Sequence, residues 1–143
     1  MRIAVIYYSS TGNTEAMATL IAEGARQGGA QADVLPVSQC DRSILDQYDI
    51  LAFGCPASGQ EELDDMEFLP FYESIETQLR GRHVAIFGSF GWGDGQWMRD
   101  WEQRVIDSGA LLFEQGCAVQ EEPGPEAEAI RRFGYRLGSI ADQ

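Results

Sequence analysis

The strongest constraint in this sequence is an alternation of two periodicities. Short β-branched and aromatic runs, each too brief for a helix, are followed by longer segments whose apolar residues recur at helical spacing. Residues 2–8 (RIAVIYY) form the first run. From Asn13 to about Gln27, Met17, Leu20, Ile21 and Ala25 mark one helix face, and Gly28-Gly29 stops it. Residues 31–37 (QADVLPV) read as a second strand near a sheet edge, because Pro36 cannot donate to a ladder. Residues 49–54 (DILAFG) read as a third, buried strand. Phe68, Tyr72, Ile75 and Leu79 then predict a helix over about 67–79, with Pro70 tolerated in its first turn. Residues 82–89 (RHVAIFGS) form a fourth strand, and Met98, Trp101 and Val105 mark a helix over about 95–108. Residues 110–119 make a fifth strand with Gly116 as a bulge. The stretch from Pro125 supplies a last helix, whose apolar face is Ile130, Phe133, Leu137 and Ile140. Strands and helices alternating in this way join through right-handed crossovers into a parallel sheet. The predicted fold class is α/β: a doubly wound, five-stranded parallel sheet with helices on both faces. Residues 1–143 read as one domain, without a repeat, linker or low-complexity tract.

Composition removes several functions. No apolar run approaches the roughly 20 residues of a membrane helix. The start, MRIAVIYYSS, lacks the features of a secretory signal, so a cytoplasmic place is expected. Cys40, Cys55 and Cys117 form neither a CxxC pair nor a disulfide ladder. The net charge is −13, and all ten basic residues are Arg. A chain without Lys has no Walker lysine, no Schiff-base lysine and no kinase lysine. Such an acid surplus argues against nucleic acid or an anionic membrane as partner and favours steering toward a basic protein.

In doubly wound sheets, ligands bind beyond the carboxyl ends of the strands, where the strand order reverses. Residues 9–14, 55–62 and 89–95 should lie there. Ser9-Ser10-Thr11-Gly12-Asn13-Thr14 joins a strand to a helix N-terminus, where unpaired N–H groups and the positive dipole end favour an anion. Four hydroxyls and the Asn13 amide can donate to phosphate oxygens, and no cation stands between Arg2 and Arg26. Neutral donors of this kind suit a phosphomonoester better than a triphosphate with its metal. The other reading is a capped helix start with Thr11 or Asn13 at the cap, although Thr14 and Ala16 complete no capping box. The loop Ser89-Phe90-Gly91-Trp92-Gly93-Asp94-Gly95 is either a ligand loop or a Gly-rich turn with Trp92 over the core edge.

The spacing S-x-T-G-x-T resembles the phosphate loop of flavodoxins. GSFGWGDGQWMRDWE and the acidic EELDDMEFLPF are similar to the short-chain, clostridial-type members, and the resemblance covers essentially the whole chain. There is no room for the loop that interrupts the last strand in long-chain members. The resemblance implies a flavodoxin-like sheet of strand order 2-1-3-4-5 and flavin mononucleotide (FMN) as cofactor. Ser9, Ser10, Thr11, Gly12, Asn13 and Thr14 would then hold the phosphate. Pro56, Ala57, Ser58, Gly59 and Glu61 would flank one side of the ring, and Ser89, Phe90, Gly91, Trp92 and Gly93 the other. Trp92 matches the stacking aromatic, worth about 1 kcal/mol beyond area burial. Gly59 matches the residue whose carbonyl accepts from reduced flavin N5–H. Glu61 matches the carboxylate that accepts from N3–H in some short-chain members, though by residue type alone it is a solvated acid. Ser58 departs from the Met or large aromatic common at that position, which leaves the inner ring face open unless another side chain such as Met66 covers it. Trp97 is near enough to border the flavin, with core packing the default for it and for Trp101. Cys55 adjoins the ring loop, but a small buried thiol is the simpler reading, as it is for Cys40 and Cys117. His83 has no second His nearby in sequence, and no catalytic residue or metal ligand is assigned.

The function implied is a low-potential one-electron carrier shuttling between neutral semiquinone and hydroquinone, not a catalyst by itself. Nine acids and no base lie between Arg42 and Arg80. Charge there opposes a further negative charge on the ring and offers redox partner proteins an acidic rim for transient docking. A monomer is expected. The competing enzyme reading is a flavodoxin-fold NAD(P)H-dependent quinone or nitro reductase, for which the chain has no residues left to complete a substrate pocket. Non-redox relatives of the fold fare worse, since the phosphatase C-x5-R loop is absent and a receiver lysine cannot exist here.

Overall fold

Strands β1 (Arg2–Tyr7), β2 (Gln31–Pro36), β3 (Ile50–Gly54) and β4 (His83–Phe90) pair in parallel in the order β2-β1-β3-β4. The computed structural model describes residues 1–9, 12–57, 63–91, 94–121 and 123–140. Beyond β4 the sheet continues in two short pieces. Leu111–Leu112 (β5) pairs with His83 and Val84, and Cys117–Gln120 (β6) pairs with Phe87–Phe90. The order 2-1-3-4-5 is therefore the expected one, with Pro36 ending an edge strand, but the strand expected over 110–119 is divided. The cause is local. Glu114 takes a positive φ of 55°, which ends the extended run, and its carboxylate pairs with Arg136. The Gly116 N–H then donates to Glu102 Oε2 at 2.6 Å, where a Cβ would lie 2.3 Å from Met98 Sδ. What the sequence suggested as a bulge is thus a full interruption held by two other elements.

Both sheet faces are covered, which explains why the strands are unbroken apolar runs rather than alternating ones. Ile3, Val5, Ile50, Ala52, Ala85 and Phe87 face helices α1 (Asn13–Gln27) and α5 (Ala127–Gly138). Ala4, Ile6, Leu51, Phe53, Val84 and Ile86 face α2 (Ile44–Gln47), α3 (Phe68–Ile75) and α4 (Gln96–Asp107). On that second face the rings of Phe53, Phe68, Tyr72 and Trp101 form a cluster of mostly edge-to-face contacts. The helix expected over 67–79 is α3 followed by a 3-10 turn, Glu76–Gln78. The connection after β2 holds a 3-10 turn (Val37–Gln39) and α2, neither of which four-residue apolar patterns could announce.

Helices α1 and α5 touch through their backbones. A Cβ on Gly24 would lie 2.0 Å from the Arg131 carbonyl oxygen, and one on Gly134 would lie 2.1 Å from that of Ile21. Gly28 and Gly138 meet Tyr135 and Ala25 in the same way, at 2.5 and 2.3 Å. The two G-x-x-x-G spacings, 24–28 and 134–138, put all four on one line of contact. This packing sets α1 firmly against the sheet and so fixes where its N-terminus points.

Candidate functional site

Strand β1 runs out at Tyr7, and α1 begins at Asn13. Gly12 precedes it with φ 95°, a left-handed conformation that costs a glycine little, and its N–H donates to Ser9 Oγ at 3.0 Å. Among the described residues no side chain caps α1. The N–H groups of its first turn are thus without a side-chain acceptor among the described residues, and a Cβ built on Gly12 would meet nothing within 4 Å. This is not the side-chain-capped start that was the other reading of the loop. Thr14 is buried in that turn, and its Oγ1 lies 3.1 Å from Ser89 Oγ, at the end of β4. Ser9, Gly12, Asn13 and Thr14 thus stand together between the end of β1 and the first turn of α1; Ser10 and Thr11 lie outside the described residues.

The other two loops are tied to the first and to each other. The Ala57 N–H donates to the Ser89 carbonyl at 3.0 Å, and the Cys55 N–H to that of Phe87 at 3.1 Å. Ser89, itself buried, therefore joins all three connections: its hydroxyl meets Thr14 and its carbonyl holds Ala57. Pro56 and Ala57 are half-buried, as is Phe90, while Gly91 is exposed. Ser58, Gly59, Glu61, Trp92 and Gly93, the remaining expected ring neighbours, lie outside the described residues. Met66 stands 80% exposed just beyond the second loop. Trp97 is buried, donates its indole N–H to the Cys55 carbonyl at 3.3 Å, and packs on Phe90 at 5.4 Å between ring centroids. It supports both loops from below.

Two supports escaped sequence reasoning. Asp64 is buried, and its Oδ2 accepts from the N–H groups of Glu67 (2.8 Å) and Phe68 (2.9 Å). Its own N–H donates to Cys55 Sγ at 3.4 Å. One residue thus caps the turn into α3 and returns the second loop to the end of β3. The signal was legible: Asp64-x-x-Glu67 before an apolar run is the pattern of a capping box. The Asp64 carboxylate also raises the Tyr8 phenol above its ordinary pKa, with burial and Glu67 adding to the effect. Cys55 is fully buried, and desolvation pushes its thiol up to about 12, so it is an inert packing group as expected. The second support is the end of β6. The Glu121 N–H donates to the Phe90 carbonyl at 2.7 Å, and Gln120 Nε2 to that of Gly91 at 3.3 Å. Glu121 takes φ 59° to do so, and nothing in its sequence context announces that.

The acidic stretch divides once folded. Asp46 and Asp49 lie at the other end of the sheet, where Asp49 accepts from the Arg2 N–H. Glu73 and Glu76 pair with Arg104 of α4, Glu76 through two bonds of 2.6 and 2.8 Å. Asp64 is consumed as a cap. Among the described residues this leaves Asp65 and Glu67 as the exposed acids beside the second loop. A groove of about 390 Å³ borders the first loop and is lined by Ser9 and Gly12, by Glu15 and Glu67, and by the end of β2. A larger concavity, about 620 Å³, lies between the 3-10 turn after α3 and helix α4, away from the carboxyl ends of the strands. The donor set at the three loops, hydroxyls and open N–H groups without a cation, fits a phosphomonoester.

Comparison with known proteins agrees. The Flavodoxin family profile matches residues 5–134. The chain is 43% identical to the flavodoxin of Clostridium beijerinckii over 136 residues, 95% of this chain and 99% of that one. It is 36% identical to the flavodoxin of Megasphaera elsdenii over 132 residues, 92% and 95% of the two chains. The solution structure of the two-electron reduced Megasphaera elsdenii protein superposes with a TM-score of 0.83, at 36% identity and 94% and 98% coverage. Oxidised flavodoxin 1 of Bacillus cereus does so with 0.84, at 28% identity and 100% and 99% coverage. Sequence, sheet order and loop chemistry lead to one conclusion: the chain belongs to the flavodoxin family.

Proposed function

We propose that this flavodoxin, an electron-transfer flavoprotein, holds FMN across the three loops and carries single electrons at low potential between partner proteins, without being a catalyst itself. The observation that supports FMN best is the uncapped start of α1, with Gly12, Thr14 and Ser89 converging on it in loops that contain no arginine. Thr14 and Ser89 would hold the phosphate through their hydroxyls, and the first-turn N–H groups would add charge-assisted bonds. FMN supplies the one-electron chemistry when bound. The protein's part is to orient it. Ser89 holds the Ala57 N–H, Gln120 and Glu121 hold the carbonyls after β4, and Trp97 supports both loops.

Asp65 and Glu67 form the described part of an acidic rim, on which a basic partner would dock transiently, more weakly as salt rises. Among the described residues no helix is long and apolar enough to cross a membrane. Titration of the apoprotein with FMN tests the reading. One equivalent should quench flavin fluorescence, and Thr14→Val should weaken FMN at least about tenfold while leaving riboflavin unchanged. No binding, or equal losses for both ligands, would contradict it. Oxidation of NAD(P)H by the purified protein without an added reductase would favour the reductase reading instead.

A further inference from the structure

We infer that Glu15, held in place by Tyr7, is a specificity-determining residue that limits the cofactor to a single phosphate and rejects a flavin dinucleotide. The inference rests on the FMN reading and adds a selection rule to it. Its starting point is strand order. Ala57, which anchors the second loop, follows β3, and Ser89, whose hydroxyl meets Thr14, stands near the end of β4, while Gly12 and Thr14 follow β1. On the FMN reading, with the phosphate at Gly12 and the ring toward β3 and β4, a longer tail that stays on the protein surface would run toward β2. The groove of about 390 Å³ lies there, running from Ser9 and Gly12 to Pro36 and Ser38. Its size suits a second nucleotide half, since small-molecule pockets span about 300–1,000 Å³. Volume therefore does not exclude a dinucleotide.

Charge does. Tyr7 Oη donates to Glu15 Oε2 at 2.8 Å, so the carboxylate of an exposed surface residue is fixed at the groove wall. Burial, then the bond and the charge of Glu15, raise the Tyr7 phenol above its ordinary pKa, so the donor keeps its proton across the physiological range. Glu67 lines the same groove and is exposed. Among the described residues no arginine lines it. The arginines nearest to Glu15 in sequence are engaged elsewhere, Arg2 with Asp33 and the Gln47 carbonyl, Arg26 with the Ala32 carbonyl. A terminal phosphate at the first loop has open N–H groups to meet it. The second phosphate of a dinucleotide would enter a space whose two described charges are both negative.

Dissociation constants for FMN, FAD and riboflavin, measured on the wild-type protein, Glu15→Gln and Glu15→Asp, test this. Gln keeps an acceptor for Tyr7 and removes only the charge. Glu15→Gln should tighten FAD about tenfold relative to FMN, with riboflavin unchanged and the gain shrinking as NaCl rises from about 0.02 to about 0.5 M. Glu15→Asp should keep the wild-type ratio. If Glu15→Gln does not fold, Tyr7→Phe, which frees the carboxylate, should relax the ratio in the same direction. An FAD-to-FMN ratio unchanged in the folded variant, or a gain insensitive to salt, would overturn the inference while leaving the FMN reading intact. A wild-type protein that binds no FMN would overturn both.

Discussion

Asp64 carries more structure than any other acid of the described chain. Its carboxylate accepts two backbone N–H groups, its amide reaches Cys55, and its charge bears on Tyr8. Replacing it with Ala leaves the first turn into α3 without its acceptor, which typically costs about 1 kcal/mol. Asp64→Ala should lower the denaturation midpoint accordingly, and Asp64→Asn, which still accepts, should recover most of the loss. Equal losses in the two variants would show that charge, not the cap, matters at this position. The cysteines make a second prediction at the same scale. Burial pushes the thiols of Cys40 and Cys117 up to about 11 and that of Cys55 up to about 12, above the usual 9.0. Tyr72 moves from 10.0 up to about 12 for the same reason. As pH rises from about 9 the unfolded chain loses these protons first, while the folded one holds them until about pH 11 for Cys40 and Cys117 and about 12 for Cys55 and Tyr72. Stability is therefore fully present below about pH 9 and falls as pH rises, a tenfold difference in acidity between folded and unfolded chain being worth about 1.4 kcal/mol. Urea midpoints measured from pH 7 to 11 should show this decline, and Cys55→Ala should make it shallower. A flat profile would contradict the burial of these groups.

Among the elements, the α1–α5 contact is the most sensitive. Gly134→Ala gains up to about 1 kcal/mol of helix propensity but drives a Cβ to 2.1 Å from the Ile21 carbonyl oxygen. Backbone cannot yield as a flexible side chain can, so overpacking of about 1–3 kcal/mol should win. The variant should unfold at lower denaturant than wild type; a higher midpoint would mean that the helices separate freely. The elements also show what sequence alone conveys. The start and stop of α1 were legible from Met17, Ile21 and Ala25 followed by Gly28-Gly29, and the four long strands from their apolar runs. The break at 113–116 was not, because it depends on Glu102 and Arg136, residues remote in sequence. Helix α2 was hidden for another reason: one turn has no period to detect.

At the scale of the molecule, the charge of −13 is not spread evenly. Arginines answer many of the acids away from the strand ends: Arg104 meets Glu73 and Glu76, Arg131 meets Glu23 and Glu128, and Arg136 meets Glu114. The rim by the second loop keeps Asp65 and Glu67 exposed, where the proposed docking partner would meet them. Which acids remain exposed could not be read from the sequence, since it depends on how α3 packs on α4. The candidate anion loop could be proposed from the sequence, because Gly12 and its hydroxyl neighbours are adjacent in the chain. The supports contributed by Gln120 and Glu121 could not, because they join the site only when β6 pairs with β4. On the proposed reading these loops together hold FMN and make the protein a single-electron carrier. Stepwise anaerobic reduction of the FMN-loaded protein, followed by its visible spectrum, separates a one-electron carrier from the alternatives. Two resolved one-electron steps, the second at much lower potential than the first, are the expected result. A single two-electron step would contradict it.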